Sequence, residues 1–111
     1  MIQHIAPRQA LELIQQGLVD VVDVREIHEW SGGHIHGSRL VPLGQLRSSP
    51  SASLPKDGIL FICAAGVRSE TAARLAVGLG YKTIYNLRGG TKAWADAKLP
   101  LETDDPIAAA I

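Results

Sequence analysis

Among the 111 residues there is a single cysteine, no excess of either charge and no long apolar run, and each shortage removes a class of function. One cysteine excludes an internal disulfide, which suits a reducing compartment and leaves one thiol, Cys63, free for chemistry. Lys plus Arg number 11, as do Asp plus Glu, so no net field favours nucleic acid or a charged membrane surface as partner. The opening MIQHIAPRQALELIQQG lacks a basic stretch followed by an apolar one, and no apolar run approaches the ~18 residues of a membrane span. A cytoplasmic, unexported protein is the expectation. His34 and His36 flank Ile35 and could suggest a metal, but no third Cys, His or carboxylate stands at a familiar ligand spacing. No metal site is expected, and His34 is read as holding its turn together. There is no internal repeat.

What is present is an alternation of short apolar stretches and helical ones. Strands are expected at Gln3 to Ile5, Val19 to Val24, Arg39 to Val41, Gly58 to Ile62 and Thr83 to Tyr85, which argues for α/β layers on a mostly parallel sheet. A helix from Pro7 to Gln16 starts with proline where a missing N–H costs little, yet Ala6 is a poor cap, so a frayed start is expected. The clearest helix covers Arg68 to Leu79, with Ala72, Leu75, Ala76 and Leu79 on one stripe and Gly78 and Gly80 at its end. The polar run Ser48 to Ser53 reads as an exposed loop. A length of 111 residues allows one core, taken here as residues 1–101, with 102–111 as a C-terminal tail.

The informative segment is GILFICAAGVRSETAARLAVGLG, residues 58–80, in which an apolar strand ends at Ile62, a turn follows from Cys63, and a helix begins near Arg68. Ligands of open parallel sheets collect beyond the carboxyl ends of the strands, where helix N-termini offer unpaired N–H groups and partial positive charge. A cysteine at that place is disposed to ionise, and the thiolate is the nucleophilic form. Ala64, Ala65 and Gly66 have little bulk, so the backbone can curl about the sulfur and aim several N–H groups at one point. Such a cradle suits a persulfide anion or an oxyanion. Arg68 in the first turn opposes the helix dipole, at a local cost of about 0.3–1 kcal/mol, and so calls for an anion nearby. An inert core cysteine is the commoner occupant of an apolar strand end, but glycine three residues later, arginine five later and serine directly after it set Cys63 apart.

The run Cys63-Ala64-Ala65-Gly66-Val67-Arg68-Ser69 resembles the rhodanese family. So do Asp23-Val24-Arg25-Glu26-Ile27-His28-Glu29-Trp30 with Gly33-His34-Ile35-His36-Gly37-Ser38, and Asn86-Leu87-Arg88-Gly89-Gly90-Thr91-Lys92-Ala93-Trp94 before Leu99-Pro100. The resemblance implies a three-layer sandwich with a five-stranded sheet and a sulfurtransferase in which the Cys63 thiolate takes sulfane sulfur from thiosulfate or a persulfide donor. The sulfur then passes to cyanide or a thiol, with ping-pong kinetics and no cofactor. It also implies that backbone N–H groups of Ala64, Ala65, Gly66, Val67, Arg68 and Ser69 hold the anion. Two rivals stand beside it. Neutral Ala64 and Ala65, where thiosulfate-preferring members carry a basic residue, keep open a persulfide relay served by partner proteins. A cysteine phosphatase or arsenate reductase is disfavoured because related phosphatases place arginine six residues after cysteine rather than five.

Asp23 and Arg25 end a strand on the side of Cys63 and are expected to brace that edge, within reach of the loop. Trp30 and Trp94 are read as core, and Arg88 as either a guide for anions at the pocket mouth or a solvated surface residue.

Overall fold

The computed structural model describes residues 1–103, and the rest of the expected tail, 104–111, lies outside the described residues. Five strands, β1 (Ile2–Ile5), β2 (Asp20–Asp23), β3 (Arg39–Leu40), β4 (Ile59–Ile62) and β5 (Ile84–Leu87), form one sheet in the order β1-β5-β4-β2-β3. Every pairing is parallel, with Val22 opposite Phe61 and Ile59 opposite Ile84. β4 is fully buried, as a central strand without polar positions should be. Because side chains alternate across a strand, Ile59 and Phe61 join one apolar layer and Leu60 and Ile62 the other.

Helices α1 (Pro7–Gln15), α2 (Ile27–Ser31), α3 (Leu43–Ser48), α4 (Pro50–Ser53), α5 (Val67–Gly78) and α6 (Gly90–Asp96) connect the strands. Leu46, Leu54, Ala72, Ala73 and Ala76 pack on the Phe61 face, while Ala10, Ile35 and Trp94 pack on the Leu60 face. The α/β layers expected from the strand and helix alternation, and the three-layer sandwich that the resemblance implies, are therefore present.

Local departures from the sequence expectation have physical reasons. The loop expected over Ser48–Ser53 is instead the end of α3 and the helical turn α4, where Pro50 starts the turn and Ser53 is buried. α1 lacks a capping side chain at Ala6, but Gln9 Oε1 reaches back to accept from the Ala6 N–H at 3.0 Å. On α5 the buried face is Ser69, Ala72, Ala73 and Ala76, and Leu79 is exposed. Ala72, Ala76 and the half-buried Leu75 of the expected stripe pack on the core, so only Leu79 departs from it. β5 runs to Leu87, two residues beyond the expected end, because Asn86 and Leu87 pair with His4 and Ile5 of β1. Trp94 is buried and donates from Nε1 to the Pro100 carbonyl at 2.9 Å. Trp30, expected in the core, is only half-buried and stacks on His34 with ring centroids 3.7 Å apart.

Candidate active site

Cys63 follows the last residue of β4, and its carbonyl is gripped from the other end of the chain. The Thr91 N–H donates to the Cys63 carbonyl at 2.9 Å, and the Lys92 N–H donates to that of Ala64 at 3.1 Å. That grip requires glycine at position 90: a Cβ there would lie 2.3 Å from the Cys63 oxygen and 2.5 Å from Ala64. Gly66 turns the loop back with φ of +99°, a left-handed conformation that glycine adopts without steric cost.

The turn brings the Gly66 N–H to 3.0 Å from Cys63 Sγ. Ser69 Oγ lies 3.3 Å from the same sulfur, beneath it and wholly buried. Burial by itself pushes the Cys63 thiol up, but hydrogen bonds from the Ser69 hydroxyl and from the N–H groups of Ser69, Ala65 and Gly66 outweigh it. The net effect is a thiol held below its ordinary value. Of the loop expected to cradle an anion, Ala65, Gly66 and Ser69 thus act on the sulfur directly. Ala64 serves through its carbonyl, and the Val67 side chain, 72% exposed, forms part of the rim.

Arg68 finds its anion within the chain. Its two terminal nitrogens donate to the two carboxylate oxygens of Glu29 at 2.7 and 2.8 Å. Glu29 also accepts from the Glu26 N–H at 3.1 Å, and its carboxyl is held down at about 2, chiefly by the Arg68 hydrogen bonds. Arg68 is raised in turn, mainly by Glu29 and to a smaller degree by the nearby Cys63 thiolate.

Asp23 and Arg25 form a buried pair: the Asp23 carboxylate accepts from Arg25 Nε, Nη2 and backbone N–H at 2.8–3.1 Å. Arg25 goes on to donate to the Gly33 carbonyl at 2.8 Å and that of Glu29 at 3.4 Å. These two residues therefore position α2, and with it Glu29, rather than the sulfur.

His34 accepts or donates at Nδ1 against the Trp30 carbonyl at 2.9 Å, and its backbone exchanges hydrogen bonds with Glu102. Glu102 also places a carboxylate oxygen 2.5 Å from His36 Nδ1. Among the described residues no group of His, Cys, Asp or Glu is arranged to hold a metal ion. Arg88 is exposed and donates to the His4 carbonyl at 3.0 Å.

Two residues of the site had no role assigned from sequence: Glu29 and Asn86. Glu29 was signalled by the uncompensated charge of Arg68. Asn86 Oδ1 accepts from the Ser69 hydroxyl at 2.5 Å, and its Nδ2 lies 3.1 Å from His4 Nδ1. Its signal was a polar residue inside an apolar strand, flanked by Tyr85 and Leu87.

Comparison with other proteins points to one family. The model of the rhodanese-like domain matches residues 6–97. The chain belongs to the rhodanese-like domain family. A Pseudomonas putida relative, the thiosulfate sulfurtransferase GlpE, is 34% identical over 101 residues, which cover 91% of each chain. A Bacillus subtilis relative described as a putative sulfur carrier protein, YrkF, is 34% identical over 93 residues covering 79% of this chain. The chain spans 59% and 50% of the lengths of the two Bacillus subtilis proteins it matches. Among solved structures, a rhodanese-related protein from Thermoplasma volcanium superposes with a TM-score of 0.82 at 27% identity, covering 92% of this chain and 99% of that one. Among the described residues of this rhodanese-like domain no helix is long and apolar enough to cross a membrane.

Proposed function

We propose that this rhodanese-like domain is a sulfurtransferase that carries sulfane sulfur as a persulfide on Cys63. The observation that carries the reading is the cradle itself, in which the Gly66 N–H and Ser69 hydroxyl converge on one sulfur and hold its thiol low. In the first half-reaction the thiolate attacks the outer sulfur of thiosulfate, the S–S bond to the sulfonate breaks with its electron pair, and sulfite departs. The product, Cys63–S–S⁻, keeps one negative charge, now one atom further out, toward the rim of the loop. In the second half-reaction cyanide or a thiolate attacks the outer sulfur and the Cys63 thiolate leaves, so ping-pong kinetics follow. The same N–H groups that stabilise the thiolate are placed to stabilise the leaving thiolate, which is why a lowered thiol serves both halves.

Ala64 and Ala65 favour donors that bring their own contacts. With neutral, small side chains there and Arg68 committed to Glu29, a free thiosulfate dianion meets backbone N–H groups but no uncommitted cation from the loop. A protein persulfide therefore suits the site better than thiosulfate.

The test is the intact mass of the reduced protein after exposure to thiosulfate, after exposure to a protein persulfide, and after cyanide. A gain of one sulfur that cyanide removes, absent in Cys63→Ser, is the expected result. No gain with either donor overturns the reading, and turnover of an aryl phosphate would replace it with the phosphatase alternative.

A further inference from the structure

Behind Cys63 runs a chain of side chains of which the sulfur-transfer reading uses only the first, Ser69. Cys63 Sγ lies 3.3 Å from Ser69 Oγ, Ser69 Oγ lies 2.5 Å from Asn86 Oδ1, and Asn86 Nδ2 lies 3.1 Å from His4 Nδ1. Cys63 and Ser69 are fully buried, Asn86 is 3% exposed, and His4 lies at the surface on β1.

Ser69 has one hydroxyl proton, and two acceptors compete for it. With Asn86 Oδ1 facing it at 2.5 Å, that proton lies mainly toward Asn86, and its bond to the sulfur at 3.3 Å is weakened. The sulfur thus draws only part of what the hydroxyl can give. For Ser69 to donate in full to a thiolate, the amide must turn over, so that Nδ2 donates to Ser69 Oγ and Oδ1 faces His4 Nδ1. In the turned orientation Oδ1 also faces the Gly66 carbonyl, which the amide nitrogen otherwise approaches at 3.4 Å, so a compensating donor is needed. A protonated His4 carries a proton on Nδ1 and can only donate there. It pairs with Oδ1 and disfavours the amide orientation that draws the Ser69 proton away from the sulfur.

We propose that Asn86 and His4 are positioning residues for Cys63, a two-position hydrogen-bond switch in which protonation of surface His4 turns the Asn86 amide and releases the Ser69 hydroxyl to the sulfur. No proton travels along the chain: Cys63 loses its proton to solvent, His4 gains one from solvent, and between them one hydroxyl rotates and one amide turns. The switch rests on the reading of Cys63 as the reacting thiolate. The groups facing His4 do not imitate it. The surrounding hollow of about 340 Å³ is lined by Met1, Ile2, Glu70, Arg74 and Val77. Glu70 and Arg74 neutralise each other at 3.0 Å, and Arg88 donates to the His4 carbonyl. On the sulfur's other side Arg68 and Glu29 hold fixed, opposite charges at neutral pH.

The experiment is the rate of alkylation of the one thiol by iodoacetamide from about pH 5 to about pH 9, followed by mass on the full chain. A lone thiol gives a rate that rises with unit slope to a plateau. The switch predicts rates below the histidine range about threefold above that line, which corresponds to half a pKa unit of coupling. The excess is expected to vanish in His4→Phe, and in Ser69→Ala, which keeps the His4 charge but removes the hydroxyl. A unit-slope profile in the unaltered chain overturns the switch, as does an excess that persists in His4→Phe. An excess that persists in Ser69→Ala reduces the effect to through-space charge and equally overturns it. None of these outcomes depends on sulfur transfer: a chain that shows the excess but takes no sulfur refutes the proposed function and leaves the switch standing.

Discussion

Arg68 and Glu29, 39 positions apart in the chain, meet as a two-point ion pair at 2.7 and 2.8 Å that ties the start of α5 to α2. The pair answers the unfavourable placement of a cation in a helix's first turn, and it does so without a bound substrate. Glu29→Gln is expected to lower stability by about 1 kcal/mol, since the pair is partly exposed and solvent screens it. Urea denaturation of both proteins checks this. The Glu29 carboxyl is depressed to about 2, so the pair's contribution is whole above the ordinary glutamate range and is lost as pH falls through about 2. Between those limits the difference between the two proteins should shrink as the medium is acidified.

Replacement of the proposed nucleophile separates chemistry from folding. Cys63→Ser is expected to take up no sulfur from any donor while keeping the circular dichroism spectrum, because the exchange is nearly isosteric and Gly66 and Ser69 retain a partner. Sulfur uptake by the variant would place the persulfide nowhere, as the chain has no other cysteine.

Ser69 contributes the one side-chain hydrogen bond that lowers the Cys63 thiol. Ser69→Ala removes a bond to a charged group, typically about 1.5–3 kcal/mol, and so should move the midpoint of the alkylation profile up by about 1–2 pH units. The sign for stability follows: a thiol lowered by folding stabilises the fold above the ordinary cysteine range, and that gain fades as pH falls through the lowered value. A midpoint that stays in place in Ser69→Ala would assign the lowering to the backbone alone.

Gly90→Ala tests the grip on the loop. Its Cβ would fall 2.3 Å from the Cys63 carbonyl oxygen at a φ of +62°, so the Thr91 and Lys92 bonds to the loop must lengthen. A loss of about 1–3 kcal/mol is expected from the backbone conformation alone, read as a lower melting temperature, together with slower alkylation at neutral pH. Full retention of both would mean that α6 does not support the cradle.

How much of this was legible depended on whether the signal was local. The β4-turn-α5 unit was readable because its apolar run, small-residue turn and alanine-rich helix lie consecutively in the chain. Arg68 even announced a missing partner, though not which one, since nothing along the chain says that α2 will stand beside α5. Asn86 was hidden for the same reason: its neighbours Ser69 and His4 come from α5 and β1, joined only by the strand order. The α4 turn was missed because serine and proline serve loops and helix starts alike. On α5 the expected stripe holds at Ala72, Leu75 and Ala76 and fails only at Leu79, which stands at the helix end beyond the reach of the sheet.

The strand order has a consequence for when the protein becomes competent during synthesis. β4 lies between β2, made before it, and β5, made after it, and the loop that follows β4 is gripped by the first residues of α6. β1, although made before the other four strands, has no strand neighbour until β5 arrives, since β5 is the strand it pairs with. A growing chain that has just exposed Cys63 therefore carries an ordinary cysteine in an unclosed turn. The thiol acquires its character only after roughly the next thirty residues have emerged and folded back, so a nascent chain offers a plain cysteine where the finished one offers a tuned thiol.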